Sequence, residues 1–335
     1  MGESFRAGSW AVRGQFLMSR SRFKVSLALS GGSARALTHV GVLRELERHG
    51  LGADIIVGTS MGAVVGGLYA YYRDVDIVGE RLRVLIESDL FIKSIAVARE
   101  DRLDEGTDGF FNRFWLLFRK GVSYGQSMRR PALITDQDYR EIMEDLMPDC
   151  LIEDLPIGFG AVAMDILSGE ELVIRRGSLR TAVAASAAIP GLLPPVEYRG
   201  RLLVDGGWLD NVPVAPAIAM GGHFVLAADA ALDVPGLGPL PSAAIEYLFR
   251  CNEITRIQLM QQRKRSADVM LVPEIGKTDW SQFTCLDRCS TAGSRAFVES
   301  FHYLRGRLLV RRCLTLNGWL HPVRRRCWRH PFKVI

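Results

Sequence analysis

The chain has 335 residues, enough for one large α/β domain or two smaller ones, and its 48% hydrophobic and 24% charged content is that of a globular protein. No apolar run reaches the roughly 18 residues that a helix needs to cross a bilayer, so no helical span is expected. The net charge of +5 is uneven: residues 301–335 carry eight arginines, one lysine and no acid, so this stretch is +9 and the remainder 5 − 9 = −4.

Residues 1–22 read as a flexible leader. Arg6, Arg13 and Arg20 are there, but no apolar h-region of a signal peptide, so a cytoplasmic location is expected. The folded domain is expected over 23–305, with a basic tail over 306–335. Lys24 to Ser30 alternates and is apolar, which predicts a strand. A loop Gly31-Gly32-Ser33-Ala34-Arg35-Ala36 follows, then helical spacing of Leu37, Val40, Gly41, Leu43 and Leu46 up to the stop at Gly50. Asp54 to Val57 predicts a buried strand and Ala63 to Tyr72 a helix of small apolar residues. Between them stands Gly58-Thr59-Ser60-Met61-Gly62.

Asp76 to Asp89 predicts a further helix. Residues 91–130 hold Phe110, Phe111, Phe114, Trp115 and Phe118 beside Arg113, Arg119 and Lys120, either a core helix with a basic edge or a lipid-touching lid. Ile157 to Asp165 and Glu171 to Arg175 pair as strands around a turn at Leu167 to Glu170. Ser178 caps a helix ending at Ala188, and Ile189-Pro190-Gly191 stops it. Arg201 to Val204 is a strand closed by Asp205-Gly206-Gly207. Pro213 to Met220 starts a short helix. Phe224 to Ala228 is a strand, Ala243 to Arg265 a long helix, Val269 to Val272 a strand and Leu286 to Arg307 the last helix. Repeated strand–loop–helix units predict an α/β fold with a mainly parallel central sheet and helices on both faces.

The chemistry centres on Gly-x-Ser-x-Gly. A serine on a sharp strand-to-helix turn points its Oγ into open space, with glycines where strand and helix pass closest and a helix N-terminus behind it. A hydroxyl needs a base to take its proton. The six histidines sit in poor places for that task, with His39 and His49 inside a helix pattern and His223 just ahead of a strand. Asp205 directly follows a strand, and Gly206 and Gly207 leave room for a partner at its carboxylate. It is either a general base or an Asx-turn residue. The Gly31-Gly32-Ser33 loop offers consecutive backbone N–H groups between strand and helix, as an oxyanion or a phosphate requires. The Gly-Lys-Ser/Thr ending of a nucleotide loop is missing, and Ser33 and Ala36 break the dinucleotide spacing. Six scattered cysteines, without a CxxC pair, read as reduced thiols.

Three ordered blocks, Leu29 to Leu43, Gly58 to Gly62, and Ala188 to Gly191 with Leu202 to Gly207, resemble the patatin-like phospholipase family, in its bacterial branch related to neuropathy target esterase. The stretch Glu253 to Asp287 resembles that branch too. The resemblance implies a three-layer α/β fold and hydrolysis of phospholipid or lysophospholipid esters by a Ser–Asp dyad, with no cofactor and no metal. It implies Ser60 as nucleophile, Asp205 as base, and Gly31, Gly32 and Ser33 as the oxyanion loop. Arg35, Gly58, Gly62, Gly206 and Gly207 are then supporting positions. This sequence has Ser33 and Ala36 where the family usually has glycine, and a Cβ at 33 costs about 1 kcal/mol or more if φ is positive there. Two other readings stand: a soluble Ser-His-Asp esterase using His223 or His302, and a non-catalytic lipid-binding module. The tail interleaves its charge with Leu308, Leu309, Leu314, Trp319, Trp328 and Phe332, which suits peripheral contact with an anionic membrane. Nucleic acid is not an expected partner, and the oligomeric state is not legible.

Overall fold

The computed structural model describes residues 23–99, 132–231, 244–276, 278–316 and 332–335, with Val234, Leu237, Leu240 and Pro241 between them. The expected leader, most of the aromatic stretch after residue 91 and the middle of the tail lie outside these residues. Strand β1 (Val25–Leu29) leads through the glycine loop to α1 (Thr38–Arg48). Strand β2 (Ile55–Thr59) leads through Ser60 to α2 (Met61–Tyr72), α3 (Val75–Glu87) and α4 (Asp89–Arg99). After α5 (Asp136–Leu146) come β3 (Gly158–Asp165), β4 (Glu171–Ile174) and α6 (Leu179–Ala187). A hairpin of β5 (Val196–Tyr198) and β6 (Arg201–Asp205) precedes α7 (Val214–Ala219), β7 (Phe224–Ala228), α8 (Ala244–Arg263) and β8 (Val269–Leu271). The long α9 (Leu286–Leu316) follows, and β9 (Phe332–Val334) adds to the edge of β4.

The sheet runs β5-β6-β3-β2-β1-β7-β8, with β4 and β9 joined beside β3. The pairs β3–β2, β2–β1, β1–β7, β7–β8 and β4–β9 are parallel, and the pairs β3–β4, β3–β6 and β5–β6 antiparallel. The strands alternate between two cores. Leu27, Leu29, Ile56, Phe224 and Leu226 face the larger one, under α1, α2, α3, α5, α6 and α9. Ala28, Ile55, Val57, Val162 and Val225 face the smaller one, under α7. That period of two gives three layers, as a buried parallel sheet requires.

The expected caps hold in detail. Ser178 Oγ accepts from Thr181 N at 3.3 Å at the start of α6. Four elements were missed: α4, α5, β5 and β9. The α5 start is signalled by Thr135, whose hydroxyl accepts from Asp138 N and donates to Asp138 Oδ2. The β5–β6 hairpin turns on Arg199 and Gly200, with φ of 49° and 75°. A non-glycine at a positive φ hid that turn. The last helix also runs past its expected end at Arg307, through Arg311, which donates to His223 O at 2.9 Å and lies 3.8 Å from Asp268. The first half of the basic stretch is thus helix docked on the fold.

Candidate active site

The site is built where two strands meet end to end. One edge of β3 pairs with β2 from Gly158 to Val162, in parallel, and then with β6 from Ala163 to Asp165, antiparallel. Both strands therefore finish at the same point: Thr59 lies opposite Val162 and Asp205 opposite Ala163. Ser60 and Asp205, far apart in the chain, become neighbours through one strand. Both line the same cavity, each is only 6% exposed, and Ser60 is among the groups that favour the ionised Asp205 carboxylate.

Ser60 has φ 55° and ψ −127°, a strained turn that aims its side chain away from both strand and helix. The flanking glycines are needed by contact. A Cβ on Gly58 would lie 2.3 Å from Gly62 O, and one on Gly62 2.3 Å from Leu29 O. Ser60 N donates to Ser186 Oγ at 2.9 Å, and Ser186 Oγ donates to Val162 O at 2.6 Å. One hydroxyl from α6 thus bridges the elbow to the junction in β3. A Cβ on Gly206 would meet that same carbonyl at 2.4 Å, which explains the glycine after Asp205.

Asp205 makes an Asx turn and also shares the cavity with Ser60. Its Oδ1 accepts from Gly207 N at 2.7 Å, an Asx turn, and the carboxylate also faces Ser60. Burial pushes it up from 3.8 to about 6, against the opposing pull of the Ser60 and Gly207 hydrogen bonds and of Arg256. At neutral pH it is ionised yet basic enough to accept a proton.

The glycine loop forms the facing wall. Gly31 N–H donates to Asn211 O at 3.1 Å, and a Cβ at 31 would lie 2.7 Å from Asn211 Oδ1 and 3.0 Å from Ser60 Cβ. Gly31 thus supplies room, while Gly32 and Ser33 line the cavity. Arg35 staples the loop from behind: its Nε donates to Ala230 O at 3.0 Å and its Nη1 to Thr278 O at 3.4 Å. Ala34 N donates to Trp280 O at 2.9 Å. Of the two departures from glycine, Ala36 sits in a short 3-10 turn without a positive φ, whereas Ser33 has φ 49°. The strain foreseen at 33 is present. Ser33→Gly is expected to preserve or raise ester hydrolysis, because glycine holds that φ freely. A several-fold fall in a short-chain ester assay would mean that the serine hydroxyl or its fixed geometry is needed.

The cavity has a volume of about 100 Å³. Ser60, Asp205, Gly207 and Asn211 form its floor, Ile189, Trp208, Leu237 and Trp280 its apolar wall, and Glu253 and Arg256 of α8 a charged side. Behind it, Arg263 bonds Glu171 and Leu209 O and lies 3.4 Å from Asp210, all buried; Thr59 Oγ1 donates to Asp210 O at 2.8 Å. Cys285 and Cys289, both buried, place their sulfurs 2.9 Å apart behind Ala34. No group of three or more potential metal ligands occurs among the described residues.

The histidines lie elsewhere. His39 is buried beneath the loop with its Nε2 at 2.8 Å from Ser30 O, and burial lowers it to about 4, so it stays neutral. The Nδ1 of His223 accepts from Lys24 N at 3.2 Å, at the opposite end of β1 and β7 from Ser60. His302 is exposed on α9. Sequence reasoning missed Ser186, Asn211, Glu253 and Arg256. Ser186 gave one signal, a lone hydroxyl in the run Ala184-Ala185-Ser186-Ala187-Ala188. An Arg three residues after a Glu on a helix looks like any surface pair, so Glu253 and Arg256 gave none.

The patatin-like phospholipase family model matches residues 27–218. An uncharacterized NTE family protein of Mycobacterium tuberculosis is 32% identical over 231 residues, 68% of this chain and 55% of that protein. Lysophospholipase NTE1 of Debaryomyces hansenii is 31% identical over 210 residues, 62% of this chain and 12% of its own length. This chain thus spans little more than half of the mycobacterial relative. Among solved structures, VipD from Legionella pneumophila covers 83% of this chain and 66% of its own, at 15% identity and a TM-score of 0.42. The family match takes in the glycine loop, the serine elbow and the Asp205 turn together, and the chain belongs to the patatin-like phospholipase family.

Proposed function

We propose that this chain is a serine acyl hydrolase of phospholipid or lysophospholipid esters, working through a Ser60–Asp205 dyad. The observation that carries the reading is the juxtaposition of these two side chains in one cavity, at the junction where β2 and β6 meet on the edge of β3. Asp205 accepts the Ser60 proton as Oγ attacks the ester carbonyl carbon. The oxyanion so formed is held by the backbone N–H groups of Gly32 and Ser33, with the α2 N-terminus behind it. Collapse expels the alcohol, which takes the proton from Asp205, and leaves an acyl-Ser60 ester. Asp205 then takes a proton from water, which attacks the acyl carbon, and returns it to Ser60 Oγ as the acyl–Oγ bond breaks and the fatty acid leaves. The apolar wall of Ile189, Leu237 and Trp280 suits an acyl chain.

A fluorophosphonate probe tests this directly. It is expected to label Ser60 in folded protein, with labelling and kcat/KM on a short-chain ester both falling below about pH 6 as Asp205 is protonated. Ser60→Ala should abolish both with an unchanged melting temperature. Absence of labelling in folded wild type would favour a lipid-binding module instead, and turnover by Ser60→Ala would place the nucleophile elsewhere. A histidine-based esterase would lose activity in His223→Ala or His302→Ala and keep it in Asp205 variants.

Contact with an anionic membrane through the basic C-terminal stretch belongs to the same reading. Truncation is a poor test, since β9 pairs with β4 and Lys333 bridges to Glu170 at 2.5 Å. Replacing Arg324, Arg325, Arg326 and Arg329 by glutamine is expected to lower sedimentation with anionic vesicles, more so at low salt. Equal sedimentation would remove the docking role.

A further inference from the structure

Helix α8 brings a charged pair to a site whose glycine loop, serine elbow and Asp205 turn all lie earlier in the chain. Arg256 and Glu253 follow the matched residues 27–218, yet both line the cavity with Ser60 and Asp205. Arg256 Nε donates to Glu253 Oε2 at 3.1 Å and its Nη2 to Oε1, a two-point contact one helical turn apart. The third nitrogen, Nη1, donates to Gly207 O at 3.3 Å. Gly207 N in turn donates to Asp205 Oδ1 at 2.7 Å. The guanidinium is thus locked against the peptide unit that holds the base. Side-chain exposures of 15% and 8% place both charges where water screens them weakly.

We infer that Arg256, braced by Glu253, is a positioning residue that sets both the orientation of Asp205 and its charge state during hydrolysis. The inference rests on the dyad reading above. Two physical effects follow from one side chain. The bond to Gly207 O fixes the turn that aims the carboxylate at Ser60. The positive charge favours the ionised carboxylate, and Glu253 offsets part of that charge.

The other groups around Asp205 do not compete in this role. Ser60 on α2 and Ser186 on α6 are neutral. Tyr139 on α5 donates to Ala184 O at 2.7 Å, and burial pushes its phenol far up, so it stays protonated. Arg35, on the opposite wall, is held by Ala230 O and Thr278 O.

The test is the pH profile of kcat/KM on a short-chain ester for wild type, Arg256→Gln, Arg256→Lys and Glu253→Gln, with circular dichroism to confirm folding. In Arg256→Gln the acid limb should move up by about one pH unit, from about 6, so that activity at pH 7 falls about twofold and activity at pH 6 about fivefold, both regained by pH 9. Glu253→Gln should move the limb down, because the arginine charge is then uncompensated. Arg256→Lys keeps the charge and should keep the limb near wild type while losing kcat, since an ammonium cannot make the two-point contact. A folded Arg256→Gln whose loss is equal at every pH would make the residue merely structural and overturn the inference. Should Arg256→Gln fail to fold, a Glu253→Gln limb that stays put overturns it equally. Wild type that neither labels at Ser60 nor shows the limb would remove the dyad and this inference together. A wild type that does both leaves the dyad standing whatever the α8 variants show.

Discussion

Asp205→Asn is expected to lower hydrolysis by about a thousandfold, since an amide cannot take the Ser60 proton, and yet to raise the melting temperature at pH 8. The amide fits the site: its oxygen can accept from Gly207 N and its nitrogen can face Ser60. What it removes is a buried negative charge. The Asp205 carboxyl is raised from 3.8 to about 6 in the fold, so between those values the native state keeps a proton that the unfolded chain has given up. Wild-type stability therefore falls through this window as pH rises, and the deficit is full above pH 6. Two pKa units bound the gain at about 3 kcal/mol, a figure that already contains the attraction of Arg256 for the charged form. Melting curves at pH 4 and pH 8 read the effect: the variant and wild type should converge at pH 4 and separate at pH 8. An asparagine before Gly206 deamidates to aspartate, so intact mass must accompany each assay. A variant less stable than wild type at pH 8 would mean that Asp205 is not strained by its burial.

Gly41→Ala is expected to destabilise the protein by about 3 kcal/mol or more, although it adds a single methyl group. α1 and α9 touch backbone to backbone. A Cβ on Gly41 would lie 1.8 Å from Ser290 O, and one on Gly293 1.9 Å from Thr38 O. Neither obstacle is a flexible side chain that could turn aside. Separating the helices would also break the bonds from Arg44 to Ser290 Oγ, at 2.6 Å, and from Ser294 Oγ to Gly41 O, at 3.2 Å. Gly293→Ala should cost a similar amount. The double variant should cost less than the sum, because the first methyl already forces the helices apart. Urea midpoints measure all three, and a loss below about 1 kcal/mol in either single variant would show that this crossing yields easily.

The sequence made some of this legible and hid the rest for physical reasons. The strands β1, β2, β3 and β7 announced themselves because buried parallel strands are short apolar runs ended by turn residues. The elbow was legible because its glycines serve a local close approach, one that the pattern itself encodes. Asp205 was legible only as one of two alternatives; the fold shows the Asx turn and sets the same carboxylate in the cavity with Ser60. Arg256 and Asn211 were invisible, since their partners lie far off in the chain and no spacing rule reports a contact across the sheet. Gly41 appeared in the sequence only as part of a helix pattern, where glycine is a poor former. Its cause sits on a helix that begins some 245 residues later, as 286 − 41 shows. Arg199 misled for the opposite reason: a residue that dislikes left-handed backbone occupies it, so a two-residue hairpin looked like none.

The shared edge of β3 also dictates when Ser60 and Asp205 can come together during folding. β1, β2 and their helices can assemble early from adjacent segments, and that half already contains the serine elbow. Its partner arrives only when the β5–β6 hairpin docks in the antiparallel sense at the end of β2, after β3 and α6 are in place to receive it. Such a pairing between distant segments closes late and slowly. A partly folded chain therefore holds the Ser60 elbow without the Asp205 carboxylate, and on the dyad proposed above it stays inactive until the β5–β6 hairpin has docked.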